Sequence, residues 1–292
     1  MLKVKNLFGL IIFSIIFFAV PAFAKESEDT VKSNLDLTVE AVMEHDLDEG
    51  TIKKINYMVD HNLTDTLDIN ANVSPFFLDP VDWVGEYPFS AIGLLSIDYE
   101  GGKGGYGTGF LVADNLVLTA AHNVQIYEEG YGNATKINFY AGFDYEGNCV
   151  ASSRARAYYV SIGWTDSMSA DYDWALLKLS TPIGSEAGTF PCKVESSLLN
   201  KNIMSIGYPS DPVFISDKGC TQGVSEGKVI SDNGLLIRTL AEGNEGCSGG
   251  PIFDISDGNF TVVGVVSGGN IFDHIAGPKI TTTVINLIRN YL

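Results

Sequence analysis

Residues 105–122 read GYGTGFLVADNLVLTAAH. Glycines at 105, 107 and 109 suggest a loop that cradles phosphate, but such a loop must open a helix whose N-terminus faces the anion. Here the glycines run instead into the apolar stretch Gly109–Val112, then a turn at Ala113–Asn115, then a second apolar stretch ending at Thr119. Strand, tight turn and strand make a hairpin. The hairpin delivers His122 just past its second strand, flanked by small residues. This reading excludes a nucleotide site and makes short paired strands the expected unit of the fold.

The same short alternating runs recur at Ala91–Ile97, Lys136–Tyr140, Trp174–Leu179, Asn202–Ile206, Lys228–Ile230, Leu235–Arg238 and Phe260–Val266, separated by Gly, Asp and Asn. Strands at this spacing predict an all-β barrel or sandwich. No run alternates with a long helical pattern, so a parallel, doubly wound sheet is disfavoured. One helix is expected late, over Thr283–Leu292, with Val284, Leu287, Ile288 and Leu292 on one face.

The chain of 292 residues carries 36 acids against 18 bases, a formal charge of −18. Nucleic acid is excluded as the main partner, because Lys and Arg must neutralise phosphates there, and an electrostatic hold on anionic lipid is excluded likewise. Residues 1–24 read as a signal sequence: Lys3 and Lys5, an apolar stretch Leu7–Val20, the break at Pro21, then Ala22 and Ala24. That stretch spans about 21 Å as helix, short of the roughly 30 Å hydrocarbon core, so export with removal, and no stable membrane insertion, is expected. Lys25–Asp82 holds fourteen acids against four bases, with Ile52, Ile55, Val59 and Leu63 at helix-like intervals. The shift in composition after it marks a boundary, and 25–82 is expected to be an acidic pro-segment. Cys149, Cys192, Cys220 and Cys247 form an even set, which in an exported chain predicts two disulfides in one of three pairings. They lack zinc spacing and the four histidines are scattered, so no structural metal or cofactor is expected. Asp144, Glu146 and Asn148 alternate as calcium ligands do, without the later bidentate Glu; a solvated acidic loop is the expectation.

Three segments carry chemistry. Leu118–His122 supplies an imidazole. Asp171–Leu179 places a carboxylate, Asp173, directly before the Trp-Ala-Leu strand, with Asp171 two residues earlier. Gly246–Pro251 (GCSGGP) sets Ser248 on a glycine turn. Acyl transfer requires a hydroxyl, an imidazole to take its proton and a carboxylate to fix the imidazole tautomer, together with backbone N–H groups aimed at the developing oxyanion. The three segments contain that set in the order His, Asp, Ser, which differs from the Ser, Asp, His order of α/β-hydrolases.

On Thr119–His122, Asp173–Leu177 and Gly246–Pro251 the sequence over about 83–292 resembles the trypsin-like serine endopeptidases of chymotrypsin fold. The absence of the usual cysteine after His122, and the Gly207–Pro209 segment, resemble the bacterial glutamyl-endopeptidase branch. The resemblance implies two six-stranded antiparallel β-barrels, over 83–180 and 181–292, with the site in the cleft between them. It implies Ser248 as nucleophile, His122 as general base and Asp173 as its orienter, with the N–H groups of Gly246 and Ser248 as the oxyanion hole. Ser267, Gly268 and Gly269 would lie along the substrate backbone, Ser267 also near Asp173. Glu242, six residues before Ser248, is a candidate anchor for basic side chains, or else a solvent-facing residue. Val266 stands where Glu-specific members carry histidine. Of the three pairings, Cys220–Cys247 with Cys149–Cys192 is the one expected. A secreted, monomeric peptidase acting on proteins or peptides is the expectation. The rival is a protease-like fold kept for binding or adhesion.

Overall fold

A computed structural model describes residues 37–60, 76–269 and 274–292. The expected signal sequence, and Leu63, lie outside them. The chain enters with a hairpin, β1 (Leu37–Asp46) and β2 (Thr51–Asp60), and a short strand β3 (Phe76–Pro80). Then follow β4 (Ile92–Tyr99), β5 (Gly104–Ala113), β6 (Leu116–Thr119), β7 (Gln125–Ile126), β8 (Gly132–Ala141) and β9 (Ala151–Ser161). A short helix α1 (Ile162–Ser167) leads to β10 (Ala175–Leu179).

All strand pairs within this half are antiparallel, and the order β9-β10-β6-β5-β4-β8 closes because β8 also pairs with β9. Alternation drives the closure: Leu95, Ile97, Leu111, Val117, Phe139, Tyr158, Val160 and Leu177 turn to one interior and are essentially inaccessible to water. Gly93 is required here, since a Cβ would stand 2.4 Å from the Phe139 ring.

The second half comprises α2 (Gly184–Ala187), β11 (Asn202–Gly207), β12 (Gly223–Asp232), β13 (Leu236–Glu242), β14 (Pro251–Asp254), β15 (Thr261–Val265), β16 (Gly268–Gly269), β17 (His274–Pro278) and α3 (Thr282–Tyr291). Its strands run β15-β14-β11-β12-β13-β17-β16, with β3 added to β12. This is a curled half-barrel sheet, where the resemblance implied a second closed barrel of six strands. α3 begins one residue earlier than expected and buries Val284, Leu287 and Ile288, while Leu292 is exposed.

The stretch 51–60 is a strand, not a helix. Ile52 is half exposed, so its spacing to Ile55 is not that of a buried helical face. β1 pairs with β9 through Val42↔Ser161 to Asp46↔Ala157, while β8 takes Ala151–Arg154 on the same edge. The hairpin therefore caps the part of β9 that β8 leaves open. His45 stacks on Tyr158 with ring centroids 4.4 Å apart, and Asp48 pairs with Arg154.

Tyr208 ties the halves together. Its buried hydroxyl accepts from the Phe143 N–H (2.8 Å) and the Gln222 amide (2.9 Å) and faces the Phe143 carbonyl at 3.2 Å.

The expected Cys220–Cys247 and Cys149–Cys192 disulfides are not formed; all four cysteines are free thiols. Cys220 packs into the main core, with Cys149 and Cys192 against it, while Cys247 is buried beside Gly207 and Gly243. Burial pushes the thiols of Cys192, Cys220 and Cys247 up to about 12, and that of Cys149 up as well. They act as small apolar side chains.

Candidate active site

His122 lies in a single 3-10 turn, Ala121–Asn123, immediately after β6. Asp173 ends a second such turn, at the mouth of β10. Because β6 and β10 are antiparallel neighbours with Thr119 opposite Ala175, the two turns emerge at the same end of the barrel. The Asp173 carboxylate is almost wholly buried. It accepts from the His122 backbone N–H (2.8 Å), meets His122 Nδ1 at 2.6 Å and accepts from the Ser267 hydroxyl. Three donors compensate the burial of a charge that would otherwise be costly. The carboxylate fixes the proton on Nδ1 and leaves Nε2 with its lone pair. Burial lowers the His122 pKa, but the charge of Asp173 and its hydrogen bond outweigh that, and the net result is a pKa above the usual 6.5. The imidazole is a quarter exposed, with the Trp164 ring 6.3 Å away. Asp171 stays apart from it, bonded to Ser169 and Asn233.

Ser248 sits on the Gly246–Gly250 turn that feeds β14. Gly246 and Gly249 have φ of +88° and +86°, in the left-handed region that favours glycine. A Cβ at Gly246 would stand 2.2 Å from the Tyr208 carbonyl, so conformation and space both demand glycine there. The Ser248 hydroxyl faces the Ser267 carbonyl at 3.5 Å. Ser267 in turn donates to Asp173, so the hydroxyl, carboxylate and imidazole share one neighbourhood at the junction of the two sheets. No hydrogen bond joins Ser248 to His122; catalytic hydrogen bonds are often loose before substrate binds.

The N–H groups of Gly246 and Ser248 have no acceptor within the described residues. Gly268 and Gly269 form β16, an exposed edge paired to Ala276 and Ile275 of β17. Glu242 ends β13 opposite His274, and its backbone N–H donates to the Ser225 hydroxyl at 2.7 Å. In the acidic loop, one Asp144 oxygen accepts from the backbone N–H groups of Glu146 (2.9 Å) and Asn148 (2.8 Å), and Glu146 pairs with Lys218. Among the described residues no three His, Cys, Asp or Glu side chains converge as a metal site requires.

Sequence reasoning missed Thr108, Asn123 and Ser210, all of which bond to the turn around Ser248. Position alone offered a hint: Asn123 directly follows the histidine, and Thr108 lies between two glycines of the hairpin.

Residues 107–265 match the model of the trypsin-like peptidase domain. The chain is 28% identical over 209 residues to an extracellular metalloprotease of Bacillus subtilis (strain 168), and 27% identical over 217 residues to the glutamyl endopeptidase of Bacillus licheniformis. Each match covers 70% of this chain but only 64% of the relative. Among solved structures, a Glu endopeptidase in complex with MPD superposes with a TM-score of 0.64 at 24% identity, over 77% of this chain and 99% of that one. The segments that carry His122, Asp173 and Ser248 all lie within the matched stretch, and the chain belongs to the trypsin-like peptidase family.

Proposed function

We propose that the protein is a serine endopeptidase that hydrolyses peptide bonds through an acyl-enzyme on Ser248. The carrying observation is the buried Asp173 held against His122 at 2.6 Å, next to a serine on a glycine turn. In this reading His122 Nε2 takes the Ser248 proton as Oγ attacks the substrate carbonyl. The oxyanion is received by the N–H groups of Gly246 and Ser248, each such donor being worth roughly 3 kcal/mol in comparable enzymes. The imidazolium then gives its proton to the leaving amine. Water repeats the sequence on the ester, releases the acid and returns the proton to Ser248. The exposed edge of β16 suits an extended peptide, whose backbone can pair with Gly268 and Gly269 as an added strand.

Export and synthesis as a precursor complete the reading. Residues 1–24 would be removed as a signal, and a second cut between residues 68 and 88 would release the acidic segment. The metal in the name of the Bacillus subtilis relative belongs to that protein; the described residues of this chain offer it no ligand set, and no step above runs through one. Glu242 is the proposed anchor for Lys or Arg, through a charge-assisted contact. A panel of peptide substrates tests this: preference for Arg over Leu, lost in Glu242→Ala, supports the anchor, and equal cleavage after both removes it. The peptidase reading itself is tested on a casein or peptide substrate with the exported protein and its Ser248→Ala variant. Turnover that survives unchanged in the variant would overturn it. Mass spectrometry of the exported N-terminus reads both cuts.

A further inference from the structure

The two amide donors of the proposed oxyanion hole belong to peptide units whose carbonyls point the other way, because N–H and C=O of one planar trans unit are opposed. Anchoring a carbonyl therefore aims the N–H. The Glu245 carbonyl, partner of the Gly246 N–H, accepts from the Ser210 N–H at 2.7 Å, and the Cys247 carbonyl, partner of the Ser248 N–H, accepts from Gly250 at 2.9 Å. Those anchors lie in loops of the second half. Two further carbonyls of the turn are held from the opposite half of the molecule. Gly246 O accepts from the Thr108 hydroxyl (2.7 Å), and Ser248 O accepts from the Thr108 N–H (2.9 Å) and from the Asn123 amide (2.8 Å).

These donors are themselves fixed. The Thr108 hydroxyl accepts from the Tyr208 N–H (2.9 Å). The Asn123 amide also donates to the Thr119 hydroxyl (2.9 Å), which donates to the Thr108 carbonyl (2.7 Å). Thr108, Thr119 and Asn123 are all buried. The network is also tight. A Cβ at Gly249 would stand 2.2 Å from both the Thr108 carbonyl and the Thr119 hydroxyl, and one at Gly107 would stand 2.6 Å from the Asn123 amide.

We propose that Thr108 and Asn123 are positioning residues for the acyl-transfer step: they clamp the oxyanion turn from the first barrel, so that its two N–H groups are aimed before substrate arrives. The inference rests on the peptidase reading above. Loss of an oxyanion donor costs about 10²–10³ in kcat in comparable enzymes; loosening the turn that carries the donors costs less, about tenfold or more.

The test uses Thr108→Val, which keeps shape and removes the hydroxyl, Thr108→Ser, which keeps the hydroxyl, and Asn123→Asp, which turns a donor into an acceptor facing Ser248 O. Each is assayed for kcat and KM on a peptide anilide and for inhibition by the matching peptide aldehyde, whose adduct carries the oxyanion. Thr108→Val and Asn123→Asp should lower kcat about tenfold or more with KM nearly unchanged, and weaken the aldehyde by a similar factor, while Thr108→Ser restores most of both. Unchanged kcat and aldehyde affinity in folded variants would overturn the proposal. So would a loss in which KM, melting temperature and the Ser variant all fall together. If Asn123→Asp does not fold, the Thr108 pair decides. Failure of the peptidase reading looks different: wild-type protein would then neither cut peptide nor react at Ser248 with a fluorophosphonate.

Discussion

The two halves of the molecule hold their parts of the site in opposite ways. The first is a closed barrel, and it presents His122 and Asp173 from short turns at the ends of adjacent inner strands, with the carboxylate almost inaccessible to water. The second is an open, curled sheet, and it presents Ser248 on a left-handed glycine turn beside an exposed two-residue edge, β16. Closure removes free edges and fixes geometry. An open edge leaves backbone groups that a peptide can pair with. Under the proposed function the closed half would carry the proton relay and the open one would receive the substrate.

Breaking that division at the nucleophile should have the largest effect. Ser248→Ala should lower kcat by about 10⁴–10⁶ with the far-ultraviolet circular dichroism unchanged. In the closed half, Asp173→Asn should keep the barrel but reverse the imidazole tautomer, at about 10⁴ in kcat. The open half has a different weak point. Lys279 and Asp232, both nearly inaccessible, pair at 2.8 Å and tie the β12–β13 turn to the end of β17. Lys279→Ala leaves the Asp232 carboxylate without its cation, held only by the Leu198 and Gly234 N–H groups, and should cost about 3 kcal/mol in denaturant unfolding.

Acidity sharpens the contrast further. Because the His122 pKa lies above its ordinary value, kcat/KM should fall about tenfold per pH unit below a midpoint higher than 6.5. Stability should move the other way. The paired imidazolium stabilises the fold fully below the unfolded value of about 6.5, and that contribution is lost as pH rises through the folded value. A pH–rate profile flat from 5 to 8 would contradict the assignment of His122 as base. The smallest effect is expected at the hairpin of the uncut chain: Asp48 and Arg154 are each about half exposed, so Arg154→Ala should cost about 0–1 kcal/mol.

Much of the fold was legible because strand alternation is a local signal. The hairpin at 104–119 and the strands at β8, β10, β11 and β15 all follow from it. Closure was not legible from alternation, since it depends on β6 pairing with β10 and β4 with β8, strands far apart in sequence. β9 itself carries a weak signal, its inward positions including the small Ser153, Ala155 and Ala157 between outward Arg154 and Arg156. The 51–60 strand imitated a helix because its isoleucines lie three apart, although β1 and β2 form a ladder that neither strand specifies alone. The cysteine count suggested disulfides, yet the four side chains are free thiols that pack as apolar groups. His122, Asp173 and Ser248 could be chosen as candidates from three local signatures. Thr108 and Asn123 could not, because an ordinary threonine and asparagine gain significance only when two sheets meet.

The central claim is that Ser248 is activated by His122 across the sheet junction. The direct measurement is reaction of the folded, exported protein with a fluorophosphonate, followed by peptide mapping, alongside His122→Ala. The account predicts one adduct, on Ser248, absent or greatly slowed in the variant. A folded protein that forms no adduct, or forms one at another residue, would contradict it.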